Sequence, residues 1–582
     1  MKTPRGPSGR LPTPTTMQER PWHAHYDEGV PREIDFEDKT IPDFLERTVE
    51  RFADRPAIFF LNKTMTYREL REAVDRLATG LAGLGVKEGT RVAIQMPNMP
   101  PTVIAYYAAM ELGAEVVLTN PLYTEREIEH QWTDSGCEVA LVADFLYDQK
   151  LAGMRDRLPV KHYVVAGIGD YLSFPLNILA PLKLKRQDPP LAAKVAESDT
   201  VHQFKKLVAR SAASPPRARR SFDDVAVLQY TGGTTGVSKG AVLTHGNLSK
   251  NIQQINGWFT GVDWGHEVTL NALPIFHVFG MTVCMNWSVF TGAAMAIVPN
   301  PRDFPALVKT VVKRRVTLFP AVPALFNALN HYPGIEKLDI SSVKSCFSGS
   351  APLPLDTMQR FESMTGSVIV EGFGMSETSP VTHVNPLTST RKPGSVGIPV
   401  SDTDARIVDI DDPTKEVPVG QEGELVVRGP QIMAGYWGRQ DETDKTIIDG
   451  WLHTGDLATM DEDGYFYIVG RKKDMINASG MKVFPDEVDE VLAAHPKILE
   501  AATIGVPDEC RTETVKSFVV LQPGQAMDRD EVRAYCKTEL APYKVPFEVE
   551  FLAELPKSSV MKVLRRELRD REIEKRQAGG DV

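Results

Sequence analysis

The stretch YTGGTTGVSKGAVLTHG, residues 230–246, decides how the rest of the chain is read. The apolar runs VAVLQ and AVLTH flank a core of glycines, hydroxyls and one lysine. Gly232, Gly233, Gly236 and Gly240 let a backbone come close to an anion in conformations that a side chain forbids. Thr231, Thr234, Thr235 and Ser238 offer hydroxyl donors, and Lys239 offers a charge, so the composition is that of a phosphate-binding loop. It is not a Walker A loop. Lys239 is followed by Gly240, which leaves no neighbouring hydroxyl for magnesium and disfavours a P-loop NTPase.

Outward from this loop, a length of 582 residues exceeds what one core supports, so two or more domains are expected. The net charge of −11 excludes nucleic acid as a partner, since affinity there rests on clustered cations. Mean hydropathy of −0.21 suits a soluble enzyme. The 5 cysteines form no CxxC pair, which points to a reduced cytoplasmic compartment with the thiols serving as small core residues. Residues 1–40 read as a disordered or extended N-terminal segment, without the apolar stretch of a signal peptide. Residues 278–301 carry no formal charge, but Gly292 divides them into a helix-like half and the strand-like AAMAIV. A buried helix followed by a core strand is expected there, not a membrane span.

Helical and strand-like patterns alternate through residues 41–470, which argues for parallel sheets covered by helices. Thr66 with Glu69 and Thr124 with Glu127 are capping-box signatures, each followed by a strand-like run, VAIQM and VALVA. Residues 148–224 break the alternation as an irregular insertion. Within it, residues 171–186 are apolar and end in Lys183, Lys185 and Arg186, a composition suited to a weak contact at a membrane surface. Pro175 and Pro181 are expected to interrupt any continuous helix there. From residue 471 to 582 a smaller unit follows, with strand-like EAATIGV and KSFVVL.

The loop resembles the signature of the adenylate-forming superfamily, and further blocks follow in that family's order. They are LPIFHVFG (273–280), SGSAPLP (348–354), EGFGMSETSP (371–380), GWLHTGD (450–456), GRKKDMINASGMKV (470–483) and LPKSSVMKVLRREL (555–568). The subgroup resembled is the bacterial long-chain fatty-acid CoA ligases. This implies an α/β fold, with a large N-terminal domain of helix-covered sheets and a small mobile α+β C-terminal domain. It also implies ATP-dependent activation of a fatty acid through an acyl-adenylate, then transfer to coenzyme A. A medium-chain or aryl-acid ligase, an enzyme loading an acyl carrier protein and a luciferase-like oxygenase stay open as alternatives. ATP, Mg2+ and coenzyme A are the implied cofactors. The implied partners are fatty acid, a second copy in a homodimer, and the inner face of a membrane.

Residue by residue, the resemblance places Thr231, Gly232, Gly233, Thr234, Thr235, Gly236 and Lys239 on the β- and γ-phosphates. Glu377 falls on magnesium with Ser376 beside it, and Lys562 on the carboxylate and α-phosphate. Gly349, Ser350 and Ala351 would edge the adenine, while Phe373 and Gly374 form its face. Phe373 stands where tyrosine is usual, so stacking survives without the hydroxyl. Asp456 and Arg471 match the ribose pair, Lys473 the hinge, and Gly480 the pantetheine passage. His277 stands where amino-acid-activating relatives carry an aspartate. An imidazole among Phe276, Val278, Phe279 and Met281 suits an acid without an amino group.

Overall fold

Short β-branched runs alternating with amphipathic helices build two helix-covered sheets. The computed structural model describes residues 20–231, 238–478, 481–508, 512–558 and 562–577. A nine-stranded sheet has a parallel centre running from Val368–Gly374 through Ser345–Ser348, Leu318–Ala321, Val268–Asn271 and Ala294–Ile297 to Pro56–Phe60. An eight-stranded sheet has a parallel centre from Val225–Thr231 through Glu115–Leu118, Arg91–Gln95 and Val139–Ala143. Strands buried on both faces read as continuous apolar runs, and Val139–Ala143 is buried throughout. A third sheet contains Asp404–Val408, Gly423–Arg428 and the hairpin of Trp451–Met460 with Phe466–Arg471. A fourth, smaller sheet is built around the long antiparallel pair Ile498–Asp508 and Thr512–Leu521. The small C-terminal domain thus has its own strands and its own buried cluster around Val488, Leu492 and Val519.

Local signals explain several boundaries. Thr66 and Thr124 accept the backbone N–H of Glu69 and Glu127, and the glutamates reach back, so both capping boxes form. Residues 278–301 divide as expected. A wholly buried helical stretch ends at Gly292, whose φ is +75°, and the core strand Ala294–Ile297 follows. Cys137, Cys284, Cys346 and Cys536 are free and buried. Among the described residues no helix is long and apolar enough to cross a membrane.

Two expectations need correction and a third is narrowed. The segment 148–224 is not simply irregular: His162–Ala166 and Val201–Gln203 extend the eight-stranded sheet in parallel. From Arg20 onward the N-terminal segment takes the extended alternative and is tied down. Trp22 is buried, and Asp27 accepts backbone N–H groups of Leu387, Thr388 and Ser389. Finally, Pro181 does not interrupt a helix; one runs over Leu176–Leu184 with Pro181 inside it. Gly169 makes room for that turn, since a Cβ there would stand 2.6 Å from Pro181 Cγ.

Candidate functional site

The candidate residues gather outside the carboxyl ends of the parallel strands, where open α/β sheets leave their crevice. Thr231 ends one strand and lies in register opposite Lys239 on the antiparallel strand Lys239–Thr244, so a hairpin holds both ends of the phosphate-type loop. Its interior, Gly232, Gly233, Thr234, Thr235 and Gly236, lies outside the described residues, as does Gly480. His130 meets the Ser238 carbonyl oxygen at 3.0 Å through Nε2. Lys239 pairs with Glu442, and its ammonium lies 5.1 Å from the centre of the Tyr436 ring.

Tyr436 links this loop to the next block. Its hydroxyl donates to Glu377 Oε1 at 2.8 Å. Glu377 is buried, which pushes its carboxyl above the usual range, while the Tyr436 bond and nearby Arg471 oppose that shift. The fit to magnesium is that of a single carboxylate. Among the described residues no group of three or more His, Cys, Asp or Glu side chains is arranged to hold a metal ion. Mg2+ held by one carboxylate, water and substrate phosphates is a common arrangement. Ser376 precedes Glu377 in the same short 3-10 turn.

The SGSAP, FHVFG and EGFG blocks converge. A Cβ on Gly349 would meet Phe279 Cε1 at 3.2 Å and the Gly372 carbonyl oxygen at 3.6 Å. Ser350 has φ of +73°, a left-handed conformation rare for a serine, and Ala351 beside it is exposed. Phe373 lies in register with His383, whose buried ring crosses it edge-on at 6.0 Å. Gly374 is obligatory there, because a Cβ would sit 1.9 Å from the Pro380 carbonyl oxygen. In FHVFG, the Gln229 side chain donates to the Phe276 carbonyl oxygen at 3.0 Å, tying this loop to the strand that ends at Thr231.

His277 follows the strand Val268–Asn271. Burial, with some help from Lys562, pulls its pKa down to about 4, so the imidazole is neutral near pH 7. Its Nδ1 accepts the Phe279 N–H at 3.3 Å. Asp456 and Arg471 face each other across the hairpin, with Arg471 Nε 2.6 Å from Asp456 Oδ1. Asp456 is 3% exposed, and its pKa is raised by burial against the opposing pull of Arg471, Lys562 and Lys473.

The C-terminal domain supplies the last member. Lys562 is held by its own loop: its N–H donates to Ser558 Oγ at 3.2 Å, and Ser558 N–H donates to its carbonyl oxygen at 2.8 Å. Three residues on, Arg565 is fixed by Asp486 and Asp489. One flank of Lys562 is open to solvent. Its amine nevertheless stands close enough to Arg471, Asp456 and His277 for their charges to interact, and desolvation and Arg471 lower its pKa. Lys473 is pulled down to about 8, first by desolvation and then by Arg471. Sequence reasoning missed Tyr436 and Glu442. Their partners, Glu377 and Lys239, are remote in the chain; the short strand Gly435–Tyr436 pairing with Lys239–Thr244, and the Met433 N–H donating to the Glu377 carbonyl oxygen at 2.8 Å, bring them together.

Comparison with known proteins accords with this arrangement. The AMP-binding enzyme family matches residues 45–437, and the AMP-binding enzyme C-terminal domain matches residues 487–562. A long-chain-fatty-acid–CoA ligase of Bacillus subtilis is 42% identical over 558 residues, covering 96% of this chain and 99% of the relative. One from Escherichia coli is 40% identical, covering 94% and 98%. The crystal structure of the anthranilate CoA ligase AuaEII in complex with anthranoyl-AMP superposes with a TM-score of 0.81 at 26% identity, covering 93% of this chain and 98% of that one. With both family domains matched in order and these relatives aligned nearly end to end, the chain belongs to the AMP-binding enzyme family.

Proposed function

We propose that the protein is an AMP-forming acid–thiol ligase that joins a long-chain fatty acid to coenzyme A. The observation that carries this is the position of Lys562, brought from the C-terminal domain to Asp456, Arg471 and the neutral His277. In the first half-reaction a carboxylate oxygen attacks the α-phosphorus of ATP. The bond from that phosphorus to the bridging oxygen breaks, and pyrophosphate leaves. Two anions must meet, so charge neutralisation is the main task of the site. Lys562 would stabilise the α-phosphate and incoming carboxylate, while Lys239 and the residues 231–236 would hold the β- and γ-phosphates. Asp456 and Arg471 would take the ribose hydroxyls, and Phe373 with Gly349, Ser350 and Ala351 would take the adenine. Glu377 would hold Mg2+, which, when bound, would neutralise phosphate charge. In the second half-reaction the thiol sulfur attacks the acyl carbon, AMP departs, and the thiol proton passes to solvent. Lys473 as hinge and Gly480 as passage for the pantetheine arm belong to this step.

The long-chain assignment is supported by the relatives above and fits the apolar surroundings of His277. Val278 and Met281 are buried there, and the helical stretch Gly280–Asn286 is buried throughout. Each methylene taken up by an apolar channel adds ~0.8 kcal/mol, about a fourfold preference. A peripheral membrane contact fits the same reading, because such acids reside in bilayers. The test is ATP–pyrophosphate exchange across acids of increasing length, with and without coenzyme A. Exchange that rises with chain length, and acyl-CoA formed only with the thiol, is the expected result; preference for a short or aryl acid would overturn the long-chain assignment.

A further inference from the structure

The helix Leu176–Leu184 is apolar on its outer side as well as its inner one. Its inner side, through Leu176 and Ala180, packs on the main core. Its outer side carries Ile178, Leu179 and Leu182, exposed to 54%, 53% and 54%, and Phe174 in front of the helix is 78% exposed. Residues 178 and 182 are one turn apart and 179 lies beside them, so the three form one stripe. Ordinary surfaces scatter single apolar side chains, whereas a clustered patch marks a contact.

The mounting is firm. Asn62 grips the backbone of Ser173 on both sides, accepting its N–H at 3.1 Å and donating to its carbonyl oxygen at 3.0 Å. Tyr171 packs edge-on against Phe204 at 6.2 Å. Leu191 N–H donates to the Leu184 carbonyl oxygen at 3.0 Å, folding the following chain back.

Charge identifies the occupant. Lys183, Lys185 and Arg186 are all exposed, and none of them forms an ion pair among the described residues. These cations stand on a chain whose net charge is −11, so the local sign opposes the global one. A second copy meeting this patch about a twofold axis would bring the two cation clusters together. Four exposed side chains also fall well short of the ~800 Å² per partner that a stable dimer needs.

We propose that Phe174 and the stripe Ile178, Leu179 and Leu182, with Lys183, Lys185 and Arg186 at its end, form a docking surface for an anionic lipid bilayer. The apolar side chains enter the boundary between head groups and acyl chains, and the cations meet the phosphates. The contact lies on the bilayer without crossing it. Its use in collecting substrate rests on the long-chain reading above; its existence does not.

The full chain, without substrate, is sedimented with vesicles of phosphatidylcholine alone or mixed with phosphatidylglycerol. Binding is expected to the anionic vesicles at low salt and to be lost in molar salt. The variant Phe174→Ser/Ile178→Ser/Leu179→Ser should bind at least ~100-fold more weakly. Lys183→Glu/Lys185→Glu/Arg186→Glu should also lose on the order of 100-fold. All six side chains are exposed, so melting temperature and turnover of a soluble short acid should be unchanged in both. Absence of wild-type binding, or wild-type-like binding by the charge-reversal variant, overturns the proposal. So does a concentration-dependent dimer that the serine variant dissociates. Vesicle binding without activity on long acids would refute the long-chain reading and leave the docking surface standing.

Discussion

Replacing Lys562 with alanine should cripple the first half-reaction and spare the second. A unit charge about 4 Å from the developing negative charge contributes ~4 kcal/mol at an effective dielectric of ~20. Lys562 has one flank in solvent, and Arg471 remains nearby, so the loss should fall at or below that figure. About 2.7–4 kcal/mol corresponds to 10²–10³-fold in rate. The loop itself should survive truncation, because its anchors are the backbone–Ser558 bonds and the Arg565 pairs, none of which uses the Lys562 amine. The assay separates the halves: ATP–pyrophosphate exchange for adenylation, and premade acyl-adenylate with coenzyme A for thioester formation. His277 supplies an independent readout. Lys562 helps hold its pKa near 4, so the imidazole should titrate higher in the variant by NMR. If both half-reactions fall equally, or His277 titrates unchanged, Lys562 does not act where the geometry puts it.

Glu377→Gln should raise the Mg2+ concentration needed for half-maximal adenylation while leaving stability nearly unchanged, since the amide oxygen can still accept from Tyr436; a Mg2+ titration of the exchange rate checks this. Tyr436→Phe removes a bond that favours the charged carboxylate, so Glu377 should protonate at higher pH. The acid limb of the kcat/KM profile should then move to higher pH. Asp144 is raised to about 6 by burial from a normal 3.8, so the folded protein binds the proton more tightly than the unfolded chain. Stability therefore falls as pH rises from about 3.8 to about 6. Relative to wild type, Asp144→Asn should raise the melting temperature above that window and have little effect below it. Gly374→Ala would drive a Cβ into the Pro380 carbonyl oxygen at 1.9 Å, and denaturant unfolding should show a loss of about 3 kcal/mol.

What the sequence revealed was local or carried by ordered motifs. Thr66 with Glu69 announces a helix start within four residues, and Gly292 marks a helix end by its own backbone preference. The strand His162–Ala166 and the edge strand Val201–Gln203 beyond it were hidden because they are set among turns and polar segments. Pairing with Val139–Ala143 and with each other is what joins them to the sheet. Pro181 misled for a related reason: the room its ring needs comes from Gly169, outside the helix. At the site, Asp456 and Arg471 were found from blocks of defined spacing. Tyr436 and Glu442 were not, because hydrogen bonding and charge pairing between distant segments leave no mark on either segment alone.

The hairpin that sets Asp456 opposite Arg471 has a kinetic consequence. Arg471 is the last residue of its strand, Lys473 follows two positions later, and the small domain's sheet begins only at Ile476. A rotation that starts beyond Arg471 would therefore leave Asp456 and Arg471, the pair proposed to hold the ribose, on the body that does not turn. The intermediate need not be let go while the lysine withdraws and the thiol arrives. In a pulse–chase experiment, labelled acyl-adenylate formed on the enzyme should partition forward to product far more often than it escapes to mix with an unlabelled pool.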